Sequence, residues 1–211
     1  MLFSPESLSC MSWLVYATRS ELDQARKIRN LVLNIKVDRR SLNGRPMVGL
    51  AIEQAAARLL PDASGFFDAQ PILVPVPRSG LTKPNTVWPS RRICEELIRH
   101  GLGESVADVV KRVVAVPKSA GSNARPGLQT HLSSLAVQPG FRPPSRLIVV
   151  DDVVTTGTTM MACAHLLSRA YPGVPIAGFA LARVMSKGDP SEVFESKIET
   201  ISVIDGACSR R

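Results

Sequence analysis

Short aliphatic runs that alternate with helix-forming segments are the feature that most constrains the fold of this chain. The clearest runs are PILVPV at 71–76, LIVV at 147–150 and VPIAGFALARV at 174–184. Such runs, bounded by Pro, Gly or charged residues, are typical of buried strands. The segment 20–36, by contrast, repeats its apolar residues at helical spacing. Strands separated by helices pair in parallel, so the sequence predicts an α/β fold with a doubly wound, mostly parallel sheet.

The remaining elements complete this prediction. Further helices are expected at 47–60, 90–102 and 160–171, and further strands at 109–116 and 198–204. We expect one domain over 1–211, with an N-terminal helical part at 1–65 and a ligand-binding core at 66–211. The segment 117–144 is rich in Ser, Gly, Pro, Lys and Arg and is long for a simple connection. It is therefore predicted to be a lid.

Composition narrows the class of protein. The chain has 211 residues, of which 45% are hydrophobic, but no apolar stretch approaches the roughly 18 to 20 residues of a membrane span. The N-terminus is a poor match to a signal peptide, so we expect a cytoplasmic protein with no membrane partner. The four cysteines are far apart and form no CxxC pair, which argues against a zinc site and a disulfide framework. We expect buried thiols.

The net charge of +8 calls for an anionic partner. Between 26 and 45, seven Lys or Arg face a single acid, and this stretch includes the basic helix of residues 26–40. A basic surface can serve nucleic acid, acidic lipid or a small polyphosphate, or can simply be solvated. Single-stranded nucleic acid therefore stays an open partner, and a homodimer is also left open.

The richest chemical motif follows the run LIVV. Asp151 and Asp152 come directly after that run, and TTGTT at 155–159 then precedes a predicted helix. A helix N-terminus offers unpaired N–H groups, a glycine lets the backbone approach a ligand, and threonine hydroxyls add donors, so this loop can cradle a phosphate. The carboxylates would repel a phosphate and must face hydroxyls or a metal beside it. A ribose 5-phosphate satisfies both requirements, whereas the ATP-binding GxxxxGK[ST] and dinucleotide-binding GxGxxG patterns are absent from the sequence.

The run IVVDDVVTTGTT resembles the signature of the type I phosphoribosyltransferases, which bind 5-phosphoribosyl-1-diphosphate (PRPP). The resemblance implies that Asp151 and Asp152 hold the ribose hydroxyls, directly or through Mg²⁺. It also implies that the 5′-phosphate lies against the loop formed by Thr155, Thr156, Gly157, Thr158 and Thr159.

A second stretch supports the same resemblance. VPVPRSG at 74–80 is similar to the strand and turn that wrap pyrophosphate in these enzymes, often with a strained peptide, and the matched positions are Arg78, Ser79 and Gly80. The order of elements and the LARV at 181–184 are most similar to the ComF group, associated with competence and DNA uptake. Many ComF proteins begin with a four-cysteine zinc module, which this chain lacks.

The resemblance implies a reaction in which pyrophosphate leaves the ribose and a nitrogenous acceptor takes its place. Mg²⁺ and basic side chains would neutralise the leaving group. The candidates are Arg78, Lys111, Arg112, Lys118, Arg125 and His131. Thr155 occupies a position where salvage enzymes for 6-oxopurines usually carry Asp, which disfavours hypoxanthine or guanine as acceptor. Three alternatives stay open: a phosphoribosyltransferase, a non-catalytic PRPP-sensing regulator, and a ComF-like nucleic-acid-handling protein.

Overall fold

A mostly parallel sheet forms the centre of the fold and combines strands from both ends of the chain. The structure is a computed structural model that describes residues 5–81, 86–117, 126–138, 140 and 143–211. Its strands are β1 (Ser7–Ala17), β2 (Ile72–Pro75), β3 (Ser105–Val106), β4 (Val110–Arg112), β5 (Leu135–Val137), β6 (Leu147–Val154), β7 (Ile176–Met185), β8 (Phe194–Ile204) and β9 (Ala207–Arg210). Its α-helices are α1 (Asp23–Lys36), α2 (Met47–Ala63), α3 (Pro89–Arg99), α4 (Leu128–Ser134) and α5 (Thr158–Ala170), and a 3₁₀-helix spans Ser64–Phe67.

Seven strands of the described residues form one sheet in the order β3-β2-β6-β7-β1-β8-β9. The pairs from β3 to β1 are parallel, whereas β8 and β9 extend the sheet in antiparallel fashion. The predicted α/β class with a mostly parallel sheet is therefore confirmed.

Helices cover both faces of this sheet, as a doubly wound sheet requires. On one face Ile28 of α1, Ile52 of α2 and Ile93 of α3 pack into a core with buried residues of β1 and β7. On the other face, α5 packs through residues such as Met161 and Leu167. Each face excludes water from the strands, and the ligand-binding edge of such a sheet is the edge at the carboxyl ends of its parallel strands.

The strand β1 corrects the expectation that residues 1–65 form a helical part. This strand lies between β7 and β8 in the sheet, with Trp13 and Leu14 fully buried. Small polar residues interrupt its apolar pattern, but Ser12 is buried and accepts a hydrogen bond from Arg183 Nη1 (3.3 Å). A strand buried on both faces does not alternate polar and apolar residues, so this segment lacks the period-two pattern that would have indicated a strand.

The region after α3 also differs from its prediction. The strand expected at 109–116 is limited to β4, which pairs with β5 in a separate two-stranded antiparallel sheet and not with the main sheet. Within the predicted lid at 117–144, the described part contains α4 and β5, and both His131 and Ser134 are buried. That part of the segment is folded onto the core.

Two further expectations concern the whole chain. No helix among the described residues is long and apolar enough to cross a membrane. The four cysteines are free and buried, as expected, and they are Cys10, Cys94, Cys163 and Cys208.

Candidate active site

A cavity of about 610 Å³ lies at the carboxyl ends of the central parallel strands. Residues that follow or end four neighbouring strands line it: Val76 after β2, Val154 of β6, Val184 of β7 and Tyr16 of β1. β6 projects beyond its neighbour, because its last pairing with β2 joins Val150 to Pro75. The two acids that follow Val150 therefore lie beside the turn that leaves β2.

Asp151 and Asp152 both line the cavity, and they differ in environment. The Asp151 Oδ1 atom accepts hydrogen bonds from the Ser90 hydroxyl (3.1 Å) and from the Asp152 backbone N–H (2.9 Å). Burial, and then the neighbouring charge of Asp152, raise the pKa of Asp151 well above its usual value. The side chain of Asp152 is 19% exposed. Both acids are thus partly accessible from the cavity, and Asp151 is also held by two hydrogen bonds within the protein.

The loop from Thr155 to Thr159 also lines the cavity. α5 begins at Thr158, and its N-cap, Gly157, has a left-handed φ of 81° and no side chain with which to cap the helix. The first N–H groups of α5 are therefore available to an anion. The hydroxyl oxygens of Thr156 and Thr158 lie 2.9 Å apart and share a hydrogen bond.

Arg210 of β9 anchors this loop from behind. Its Nε donates to the Thr155 carbonyl (3.0 Å), its Nη2 to the Val184 carbonyl (2.6 Å), and its Nη1 forms an ion pair with Glu199 (2.6 Å). This residue carries no motif in the sequence, and only the tertiary structure brings it to the loop.

The turn after β2 forms the opposite wall. Arg78 and Ser79 line the cavity, whereas Gly80 is exposed and is not among the lining residues. The carbonyl of Arg78 accepts from Arg112 Nε (3.0 Å), and the carbonyl of Ser79 accepts from the Val116 N–H (2.9 Å). The resemblance implies a strained peptide in this turn, but none is observed. The described peptide bonds are trans, and none of Arg78, Ser79 and Gly80 has a positive φ.

The basic candidates separate into distinct groups. Arg112 and His131 are buried and line the cavity. Burial, and then the charge of Arg112, lower the pKa of His131 to about 4, which favours the neutral ring at pH 7. Lys111 instead lies with its Nζ 5.9 Å from the Trp88 ring centroid, and Lys118 and Arg125 lie outside the described residues.

Lys36, at the end of α1, belongs to the basic helix of residues 26–40 and also lines the cavity. Its Nζ lies 3.6 Å from Asp152 Oδ2. Arg29 of the same helix donates to the carbonyls of Ala17 (2.7 Å) and Ser20 (2.6 Å). Both cations have partners within the protein. Nucleic-acid binding by the basic helix of residues 26–40 stays a prediction.

No protein-family model and no curated protein matched the chain. Among solved structures, a hypoxanthine phosphoribosyltransferase from Staphylococcus aureus is similar at 14% identity and a TM-score of 0.40, over 69% of this chain and 71% of that one. A Trypanosoma cruzi hypoxanthine phosphoribosyl transferase is similar at 13% identity and a TM-score of 0.31, over 70% and 82%. Similarities this weak carry no weight for function, which is argued below from the residues of the cavity.

Proposed function

We propose that this protein binds PRPP and transfers its 5-phosphoribosyl group to a nitrogenous acceptor, releasing pyrophosphate. The observation that carries the proposal is the shared cavity of the Asp151–Asp152 pair, the Thr155–Thr159 loop and the Arg78–Ser79 turn. A ligand with one phosphate, adjacent hydroxyls and a second, larger anion matches these three walls in chemistry.

The ribose 5-phosphate half would occupy the β6–α5 side of the cavity. The 5′-phosphate would accept from the free N–H groups at the start of α5 and from threonine hydroxyls. Asp152 would accept from a ribose hydroxyl, while the Ser90 hydroxyl donates to Asp151 and holds that side chain in place. Hydrogen bonds to charged groups contribute on the order of 1.5 to 3 kcal/mol each, so this half can supply substantial affinity.

The pyrophosphate half would lie against the Arg78–Ser79 turn. The carbonyl oxygens of Arg78 and Ser79 already accept hydrogen bonds from within the protein. An anion at this turn would therefore meet backbone N–H groups and the Arg78 guanidinium. In the reaction, the bond between the anomeric carbon and the pyrophosphate oxygen breaks with its electron pair on oxygen. The acceptor nitrogen then bonds to that carbon and loses a proton. Cations beside the leaving group stabilise the charge that develops there.

Mg²⁺ fits this site as a partner of the substrate. The described residues contain no cluster of three or more His, Cys, Asp or Glu side chains able to cage a metal. Mg²⁺ in proteins usually keeps several water ligands and is coordinated by substrate oxygens and one or two protein carboxylates. Two neighbouring acids beside a phosphate-binding surface match this pattern. Asp151 and Asp152 would hold it, directly or through water, and when bound it would neutralise pyrophosphate.

The acceptor would enter near Tyr16 and Val184, where the cavity lining is partly apolar. Thr155 in place of an acid still argues against the 6-oxopurines as acceptor. The similarity to the ComF group stays a prediction from the motifs alone.

Thermal unfolding tests the proposal directly. A ligand that binds only the native state at a hundredfold excess over its Kd stabilises it by about 2.7 kcal/mol, so PRPP with Mg²⁺ should raise Tm by about 5 to 10 °C. Ribose 5-phosphate and pyrophosphate should each give a smaller rise, because each leaves one wall empty. ATP should give the least, and only at low salt. An ATP shift equal to that of PRPP, or a PRPP shift that survives Thr156→Val combined with Thr159→Val, would show a generic anion site.

A further inference from the structure

A buried polar cluster beside the phosphate loop joins β4 to the described part of the segment predicted to be a lid. It consists of Arg112 of β4 with His131 and Ser134 of α4, each at most 5% exposed. Arg112 Nη1 donates to Ser134 Oγ (2.6 Å), and the Ser134 hydroxyl donates to the His131 carbonyl (3.1 Å). The His131 ring lies between this cluster and Thr159, the second residue of α5.

The guanidinium of Arg112 determines which neighbouring atoms must act as hydrogen-bond acceptors. None of the described carboxylates forms an ion pair with it, although a buried charge without an opposite charge is costly. Arginine has only donors, so each neighbouring atom has to present a lone pair. The Nδ1 atom of His131 lies 3.5 Å from Arg112 Nη1 and must therefore carry no proton.

The proton of the neutral ring is then on Nε2, which lies 3.3 Å from the Thr159 hydroxyl oxygen. A protonated Nε2 makes that oxygen an acceptor, and the Thr159 hydroxyl hydrogen is left free to donate elsewhere. Thr159 lines the cavity at the start of α5. The Thr156 and Thr158 hydroxyls, in contrast, are hydrogen-bonded to each other, so one of their two hydrogens is already donated within the loop.

We infer that Arg112 and His131 are positioning residues that orient the Thr159 hydroxyl as a hydrogen-bond donor to the 5′-phosphate. The chain of contacts from Arg112 through His131 to Thr159 also joins the two anion-binding walls, because Arg112 Nε donates to the carbonyl of Arg78. The inference rests on the proposed function, since it takes the phosphate at α5 to be that of the ribose.

Binding measurements on the intact chain test the orientation. His131→Leu should weaken ribose 5-phosphate binding about tenfold in isothermal titration, because the Thr159 hydroxyl then loses its fixed role as donor. His131→Gln should retain affinity within about threefold, since its side-chain amide can donate to Thr159. Pyrophosphate binding should stay within about twofold in both variants. Gln129→Leu, a change on the exposed side of α4, is the matched control.

A double-mutant cycle separates orientation from general disruption. Thr159→Val should cost about as much ribose 5-phosphate affinity as His131→Leu, and the double variant should bind no more weakly than either single variant. Additive losses would overturn the inference, as would equal losses in His131→Leu and His131→Gln or unchanged binding in His131→Leu.

The tautomer of His131 provides a second test, which is made on the protein without ligand and does not depend on any binding measurement. The ¹⁵N shifts of the wild-type ring at pH 7, assigned by their loss in His131→Gln, should show a protonated Nε2 and an unprotonated Nδ1. A ring protonated at Nδ1 would overturn the inference. If wild-type protein bound no ribose 5-phosphate and no PRPP, the proposed function would fail and the inferred role in phosphate binding with it. The tautomer would still report whether the Arg112–His131–Thr159 geometry exists.

Discussion

Lys36 Nζ lies 3.6 Å from Asp152 Oδ2, and this contact joins the end of α1 to the acid pair of the cavity. The lysine side chain is 43% exposed, so the ion pair is close to solvent and is worth about 0.2 to 1 kcal/mol. Its effect is nevertheless local: it places a cation next to the Asp152 carboxylate, which a phosphate-bearing ligand must approach. The basic N-terminal helix therefore contributes to the candidate site itself.

Lys36→Gln should weaken PRPP binding in the absence of Mg²⁺ by a few-fold, because the acid pair then repels the ligand with less compensation. Added Mg²⁺ should recover most of the loss by supplying positive charge at the same place. Titrations with and without Mg²⁺ measure both effects. Lys27→Gln, an exposed lysine on the same helix, is the control for net charge. Equal weakening in the two variants would mean that only the overall charge matters.

Asp152→Asn should reduce PRPP binding at least tenfold, equivalent to about 1.4 kcal/mol, with little loss of stability. The substitution removes the charge that accepts the ribose hydroxyls, while the amide oxygen can still accept from the Val153 N–H as the carboxylate does (2.9 Å). Isothermal titration gives the affinity, and urea unfolding confirms the fold. Wild-type affinity in this variant would contradict the role proposed for Asp152.

Gly157→Ala should destabilise the protein by about 1 to 3 kcal/mol and impair ribose 5-phosphate binding. A Cβ at this position would lie 2.4 Å from Cδ1 of Ile201, a fully buried side chain of β8, and φ is already 81°. Gly173→Ala is a close control, because Gly173 also has a φ of 81° but nothing within 4 Å of its added Cβ. Urea unfolding of both variants separates the two causes: similar losses would mean that the backbone conformation alone is responsible.

The sequence motifs indicated residues that line the cavity, but not the residues that reach those linings from other parts of the chain. Asp151 and the 155–159 loop could be recognised because hydrophobic strands, acids and a glycine-containing loop occur in an informative local order. Lys36 and Arg210 could not, since each reaches the site through tertiary packing and has no neighbours in sequence that identify it. The strand β1 was missed for a related reason: burial on both faces removes the alternation that reveals a strand.

The environment of His131 makes the free energy of unfolding depend on pH through the protonation of this residue. Burial and the charge of Arg112 lower its pKa from 6.5 to about 4 in the folded protein, while the ring in an unfolded chain keeps its ordinary value. Between these two values the unfolded state binds more protons than the folded state, so the free energy of unfolding falls as the pH decreases from about 6.5 to 4. Above about pH 6.5 this component is fully present.

His131→Gln removes that component, because glutamine does not titrate. The stability of the wild type relative to the variant should therefore decline between pH 7 and pH 4.5, and urea midpoints measured across this range check the trend. Taking the difference between two proteins cancels groups with other shifts, including Asp151, whose raised pKa acts in the opposite direction, and His165, whose pKa is also lowered. His100→Gln, at an exposed histidine after α3, is the control for losing a histidine. A constant difference between wild type and His131→Gln over the whole range would show that His131 titrates as it does in the unfolded chain.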